Sequence, residues 1–179
     1  DNLGMRPDAL RALLSRWRPE DILYTVPIGS NPSGTVVSEA RRREIYAIAS
    51  DYNIIILEDD PYYFLNYTDD EALPASYLSM DTDGRVLRFD SFSKTIGGGL
   101  RVGYVTGPEP LVRKILYHLH ASIMHTSGLS QVISPPSPLP SLLPSPPPPL
   151  LISIIIINQE PSTYTPQSKC TLLHYFFTL

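Results

Sequence analysis

The amino-acid sequence predicts an α/β layered fold over residues 1–133. Three segments repeat apolar residues at helical spacing, and short runs of β-forming residues lie between them. One of those runs, Ile54-Ile55-Ile56-Leu57, is apolar at every position, as in strands of parallel sheets that are buried on both faces. Strands alternating with helices imply a sheet with helices layered against it.

Taken in order, Leu10, Leu13, Leu14 and Trp17 form the apolar stripe of a helix from Pro7 to Trp17, with Pro7 suited to its first turn and Pro19 stopping it. A short strand, Ile22 to Val26, leads into the turn-rich stretch Pro27 to Gly34. Ser38 is placed to cap a helix in which Ile45, Ile48, Ala49 and Tyr52 recur at helical spacing, ending near Asn53. The apolar strand 54–57 closes on Glu58-Asp59-Asp60-Pro61, and acids at the carboxyl end of a strand suggest a site there. Arg85 to Phe89 and Val102 to Thr106 read as two further strands. A helix from Glu109 to about Ile123 follows, with Val112, Ile115, Leu116 and Leu119 inward.

Composition narrows the functional classes. The net charge of −4 comes from 14 basic and 18 acidic residues of mixed order, without the basic stripe that a nucleic-acid partner requires. A single cysteine, Cys170, excludes an intrachain disulfide and any multi-cysteine metal site. His118, His120 and His125 lack a carboxylate at ligand spacing and read as helix-surface residues, so no metal is expected. The chain opens on Asp1, and no targeting segment can be read there. After Ile133 the composition changes abruptly: prolines from Pro135 through Pro149 disfavour helix and interior strand, predicting a disordered or polyproline tail over 134–179 that is not a domain. Its apolar run Leu150 to Ile157 falls far short of the roughly 20 residues that span a bilayer, and has β character. Tyr164 to Leu179 has no clear period. The abrupt change is what retained intron or frameshifted sequence produces, and that origin is the expectation for the tail.

Three groups of residues carry chemistry. Ser91-Phe92-Ser93-Lys94, followed by Gly97-Gly98-Gly99 and Arg101, sets one amine among two hydroxyls, a glycine run and a guanidinium. A lysine amine can condense with the aldehyde of pyridoxal phosphate, while Ser91, Ser93 and Arg101 offer donors to its phosphate and the glycines allow close backbone approach. Asn31-Pro32-x-Gly34 holds an amide that can donate to a phenolate oxygen. Asp59-x-x-Tyr62 offers a carboxylate for a protonated pyridine nitrogen and a hydroxyl for the ring oxygen. Each group lies near the end of a predicted strand, where open α/β sheets bind ligands.

In this order and spacing the three groups resemble those of the class I/II aminotransferases of the fold type I pyridoxal phosphate family. Tyr24 through Gly34 and Leu57 through Phe64 are most similar to the kynurenine/α-aminoadipate branch. The resemblance covers about residues 1–133. It implies the central part of a three-layer large domain with a mostly parallel sheet. It implies that Lys94 forms the internal aldimine, that Asp59 pairs with the pyridine nitrogen and stays ionised there, and that Asn31 and Tyr62 contact the ring oxygen. Ser91, Ser93 and Arg101 would take the phosphate, and the Asn31–Pro32 bond would be cis. The implied reaction moves an amino group from an aromatic or α-aminoadipate-like amino acid to a 2-oxo acid, with Lys94 as general base and acid. A homodimer in the cytoplasm or mitochondrion, with no membrane or nucleic-acid partner, is the expected setting.

Family members are about three times longer than the matched segment, so the chain read as a fragment is expected to be inactive alone. The same scaffold also serves lyases and synthases, and it serves as a sensor domain in transcription regulators; a winged-helix segment would mark the last. A non-catalytic truncated product, binding partners through its proline-rich tail, is a further alternative.

Overall fold

A computed structural model describes residues 1–16, 22–65, 74–122, 127, 130, 151–157 and 173–176. The chain divides into two compact units, Asp1–Asp90 and Ser91–Leu179.

The first unit contains α1 (Pro7–Leu14), β1 (Ile22–Thr25), α2 (Glu39–Asp51), β2 (Ile55–Asp59) and β3 (Val86–Ser91), whose last residue opens the second unit. β1 pairs with β2 in parallel, Ile22 beside Ile55 through Thr25 beside Glu58, and β2 pairs with β3 in parallel, Ile56 beside Val86 through Asp59 beside Phe89. Parallel pairing requires a crossover, and α2 supplies it between β1 and β2. Leu23 and Ile56 from the strands meet Leu10, Ile45 and Ile48 from the helices in one apolar core.

Two helical details correct or sharpen the sequence expectation. Leu13 is 47% exposed, whereas Leu10 and Leu14 are buried. In a helix of only eight residues, one i,i+4 pair suffices to face α2, and Leu13 lies about 100° round from Leu14, off that line. Trp17 and Pro19 lie outside the described residues. α2 starts where Ser38 Oγ accepts a hydrogen bond from the Arg41 N–H at 3.4 Å, and beyond its last turn Asn53 adopts φ 52°, a left-handed stop that Asn tolerates. Ser38→Ala is expected to lower stability by about 0.5–1 kcal/mol, read from urea denaturation; an unchanged midpoint would remove the cap from the account.

The second unit begins with two 3-10 turns, Phe92–Lys94 and Gly98–Leu100, followed by β4 (Gly103–Gly107) and α3 (Glu109–Ser122). α3 buries Val112, Leu116 and Leu119 and leaves Ile115 partly covered, the inward face that periodicity predicts; Ile123 lies outside the described residues. Two stretches of the C-terminal segment depart from the expectation of a tail without regular structure. Leu151–Ile157 forms β5, antiparallel to β4, and Leu173–Phe176 forms β6, antiparallel to β5. A run of β-branched residues satisfies its backbone by pairing along β4, which also covers an edge that would otherwise present unpaired N–H and C=O groups. The four residues of β6 are too few to show a period. The disorder expected for the proline-rich stretch falls on residues 134–150, outside the described residues. Among the described residues no helix is long and apolar enough to cross a membrane.

Candidate functional site

The residues singled out from sequence fall on both units: Asn31, Asp59 and Tyr62 on the first, and Ser91, Ser93, Lys94 and Arg101 on the second.

On the first unit, strand register determines which side chains meet. Tyr24 stands beside Leu57 in the β1–β2 pairing, and Asp59 lies two residues further along β2, so Tyr24 and Asp59 share one face. The phenol bridges the offset: Tyr24 OH donates to Asp59 Oδ2 at 2.5 Å. Burial pushes the Asp59 carboxyl above its usual pKa; the Tyr24 hydrogen bond opposes this, and the charge of Asp90 adds to it. Burial, then the hydrogen bond and charge of Asp59, also raise the Tyr24 phenol. Tyr24 was not among the residues read from sequence, although its parity with Asp59 across a parallel pair is the signal that finds it.

Asn31 lies on the turn after β1, exposed, and its bond to Pro32 is cis. The turn closes through Gly34 N–H donating to Ser30 O at 2.6 Å and Ser30 N–H donating to Thr35 O at 3.1 Å. Gly29, at φ 60°, lies against Tyr62: a Cβ built on it would stand 3.4 Å from the Tyr62 Cβ. This contact brings the turn that carries Asn31 against the tyrosine of the Asp59-x-x-Tyr62 group. Gly29→Ala is expected to cost about 1–2 kcal/mol from the left-handed backbone alone, measured by thermal denaturation, and a neutral substitution would contradict that backbone.

Residues of opposite parity carry buried charge. Glu58 sits beside Arg88 in the β2–β3 register and accepts the N–H groups of Tyr77 at 2.7 Å and Leu78 at 3.1 Å. Arg88 donates Nε and Nη2 to the two oxygens of Asp90, each at 2.9 Å, and its Nη1 lies 3.5 Å from Asp60 Oδ2. Its guanidinium also stands 4.2 Å from the centre of the Tyr63 ring. Burial lowers the affinity of Arg88 for its proton, but Asp90, Glu58 and Asp60 together outweigh this and hold the group above its usual value. Burial likewise pushes Glu58 up, against the attraction of Arg88.

Asp60 is 1% exposed and both its oxygens lack a hydrogen-bond partner, so burial outweighs Arg88 and raises its pKa to about 7. A folded pKa above the unfolded one means that the folded state holds the proton more tightly. The resulting stabilisation is complete below about pH 4 and is lost as pH rises through about 7. Asp60→Asn is therefore expected to gain more stability over the wild type at pH 8 than at pH 5, in paired urea titrations. An equal difference at both pH values would contradict the raised pKa. The sequence pointed to acids at this strand end without separating Asp59, on one face, from Glu58 and Asp60.

On the second unit, Lys94 is exposed at the end of its 3-10 turn. The turn is tied by Phe92 O, which accepts the N–H groups of Thr95, Ile96 and Gly97 at 3.2, 2.9 and 3.1 Å, and by Phe92 N–H, which donates to Val102 O at 3.0 Å. Ser91 Oγ accepts the Ser93 N–H at 3.2 Å. Arg101, held at φ 54°, donates Nη1 to Gly98 O at 3.0 Å and reaches Ser93 Oγ at 3.5 Å. The second unit thus brings Ser91, Ser93, Lys94 and Arg101 onto one loop.

This donor set fits a phosphate. A guanidinium and a serine hydroxyl converge beside a glycine run over which there is space: a Cβ on Gly97 or Gly99 would meet nothing within 4 Å, and one on Gly98 only Ser93 O at 3.9 Å. On the first unit a half-buried carboxylate hydrogen-bonded to Tyr24 fits a cationic ring nitrogen, and Tyr62, against Gly29 of the turn that carries Asn31, offers a hydroxyl suited to a phenolate oxygen. Among the described residues no group of three His, Cys, Asp or Glu is placed to hold a metal ion.

Comparison with known proteins gives the same direction. The family pattern described as aminotransferase class I and II matches residues 1–135. The chain is 48% identical over 143 residues to the mitochondrial kynurenine/α-aminoadipate aminotransferase of Bos taurus, covering 74% of this chain and 33% of that protein. It is 41% identical over 154 residues to an L-tyrosine:2-oxoglutarate aminotransferase of Tapinella panuoides, covering 73% of this chain and 29% of that protein. Among solved structures, Pyrococcus horikoshii kynurenine aminotransferase in complex with PMP superposes with a TM-score of 0.69 at 31% identity, covering 74% of this chain and 33% of that one. The chain spans about a third of the length of these relatives.

Proposed function

Because this chain belongs to the class I and II aminotransferase family, we propose that it is the cofactor-holding part of a pyridoxal phosphate-dependent enzyme that moves an amino group from an aromatic or α-aminoadipate-like amino acid to a 2-oxo acid. The observation that carries this reading is the loop on which Lys94 stands beside Ser91, Ser93 and Arg101 under open space along a glycine run. Pyridoxal phosphate, when bound, supplies an aldehyde that takes up an amine and a ring that accepts electrons. The amine of Lys94 would hold the group through that aldehyde. Lys94 Nζ would then take the proton from the donor's α-carbon and deliver it, within the same half-reaction, to the carbon that carried the cofactor's aldehyde, acting as base and then as acid. Ser91, Ser93 and Arg101 bind the phosphate, Asp59 keeps the ring nitrogen protonated, and Asn31 and Tyr62 donate to the ring oxygen.

The donor class rests on the activities for which the bovine and Tapinella relatives are named. Residues 1–133 form part of the cofactor-binding domain and carry every residue assigned to the cofactor. The whole protein pairs as a homodimer and works in the cytoplasm or the mitochondrion, the compartment of the bovine relative. It uses no nucleic-acid or membrane partner. Cofactor capture is assigned to the chain itself and amino transfer to the whole protein. The test is a half-reaction of the whole protein, following conversion of bound pyridoxal phosphate to its amine form with kynurenine, α-aminoadipate, tyrosine or aspartate. Faster conversion with the first three supports the donor class; no conversion with any of them overturns the reading.

A further inference from the structure

We propose that Tyr24 is a positioning residue for Asp59: its hydroxyl orients the carboxylate and keeps it ionised on the face of the sheet where it meets a cationic partner. The inference starts from register. Tyr24 and Asp59 lie on one face of the β1–β2 pair, offset by two residues, and the Tyr24 hydroxyl donates to Asp59 Oδ2 at 2.5 Å. Among the described residues two further ionisable groups bear on this pair, Asp90 on Asp59 and Tyr62 on Tyr24.

The balance at Asp59 gives the bond its consequence. Burial and Asp90 both favour the neutral acid, and a neutral acid is a poor partner for a protonated ring nitrogen. Among the influences on this carboxyl, the Tyr24 hydrogen bond is the one that favours the charged form. It also fixes one oxygen, leaving the carboxylate a defined direction for the other. Tyr24 is 58% exposed, so the hydroxyl can be removed without opening the core.

The role matters to catalysis only through the proposed pairing of Asp59 with the cofactor ring, and so rests on that reading; its test does not. Asp59 is titrated in the full chain without cofactor, by carboxyl-carbon NMR with labelled aspartate, in the wild type and in Tyr24→Phe, with Asp59→Asn to assign the signal. Tyr24→Phe keeps the ring and removes the donor. A hydrogen bond to a charged group corresponds to an upward shift of about one pKa unit when it is lost. That shift, with amide spectra that otherwise superimpose, supports the proposal. Superimposable titrations of Asp59 in the two proteins overturn it. Absence of pyridoxal phosphate binding by the wild type would overturn the functional reading and leave the Tyr24 result standing.

Discussion

Arg88→Met is expected to lower folding stability by about 3–5 kcal/mol at pH 8, the largest loss of any single substitution considered. The guanidinium is buried with three carboxylates around it: Asp90 takes both of its parallel N–H donors, Asp60 lies 3.5 Å away, and Glu58 is its register partner. Methionine fills much of the volume but takes from those acids their nearest cation, leaving Glu58 and Asp60 the weaker attraction of buried Arg42. Native stabilities are typically about 5–15 kcal/mol, so the loss is a large fraction of the whole. The pH dependence separates this cause from a packing defect. Glu58 and Asp60 already have raised pKa values, and without Arg88 they rise further, so acidification neutralises the stranded charge. The loss should therefore shrink between pH 8 and pH 5 in urea titrations. Arg88→Lys should fall between the two proteins, because an ammonium keeps the charge and cannot reproduce the paired bonds to Asp90. A loss that is the same at both pH values would mean that packing, not charge, is what Arg88 provides.

Lys94→Ala is expected to abolish covalent capture of pyridoxal phosphate while leaving the fold within about 0.5 kcal/mol of the wild type. The lysine is exposed, and the turn that presents it is tied by backbone groups of Phe92, Thr95, Ile96, Gly97 and Val102, so alanine changes the chemistry and keeps those backbone ties. In an absorption titration with pyridoxal phosphate the wild type should develop a band that survives dialysis after borohydride reduction, and Lys94→Ala should not. Retention of a reducible, non-dialysable band in Lys94→Ala would move the covalent role to another amine.

How much of this was legible in the sequence depended on the physical scale of each signal. Helices α2 and α3 announce themselves by apolar spacing, and β2 by an uninterrupted apolar run. The Asn31, Asp59 and Lys94 groups are visible because each sits in a short contiguous stretch whose residue types already define a chemistry. What sequence reading misses depends on pairing. Tyr24 becomes a partner of Asp59 only once β1 and β2 have a register, and Glu58, Arg88 and Asp90 become one buried cluster only once β2 and β3 do. Leu13 is misassigned because a two-turn helix needs a narrower stripe than its leucines offer. β5 is foreshadowed by its β-branched residues, but its pairing with β4 joins positions about fifty residues apart, beyond the reach of local pattern.

The most direct test of the central claim is to reduce the chain with borohydride in the presence of pyridoxal phosphate, digest it, and locate the added mass among the peptides. The account predicts one modified peptide, containing Lys94 and reading through Ser91, Ser93 and Arg101, at near one equivalent. Modification spread over the surface amines, with Lys114 labelled as readily as Lys94, would contradict a built cofactor site on this loop.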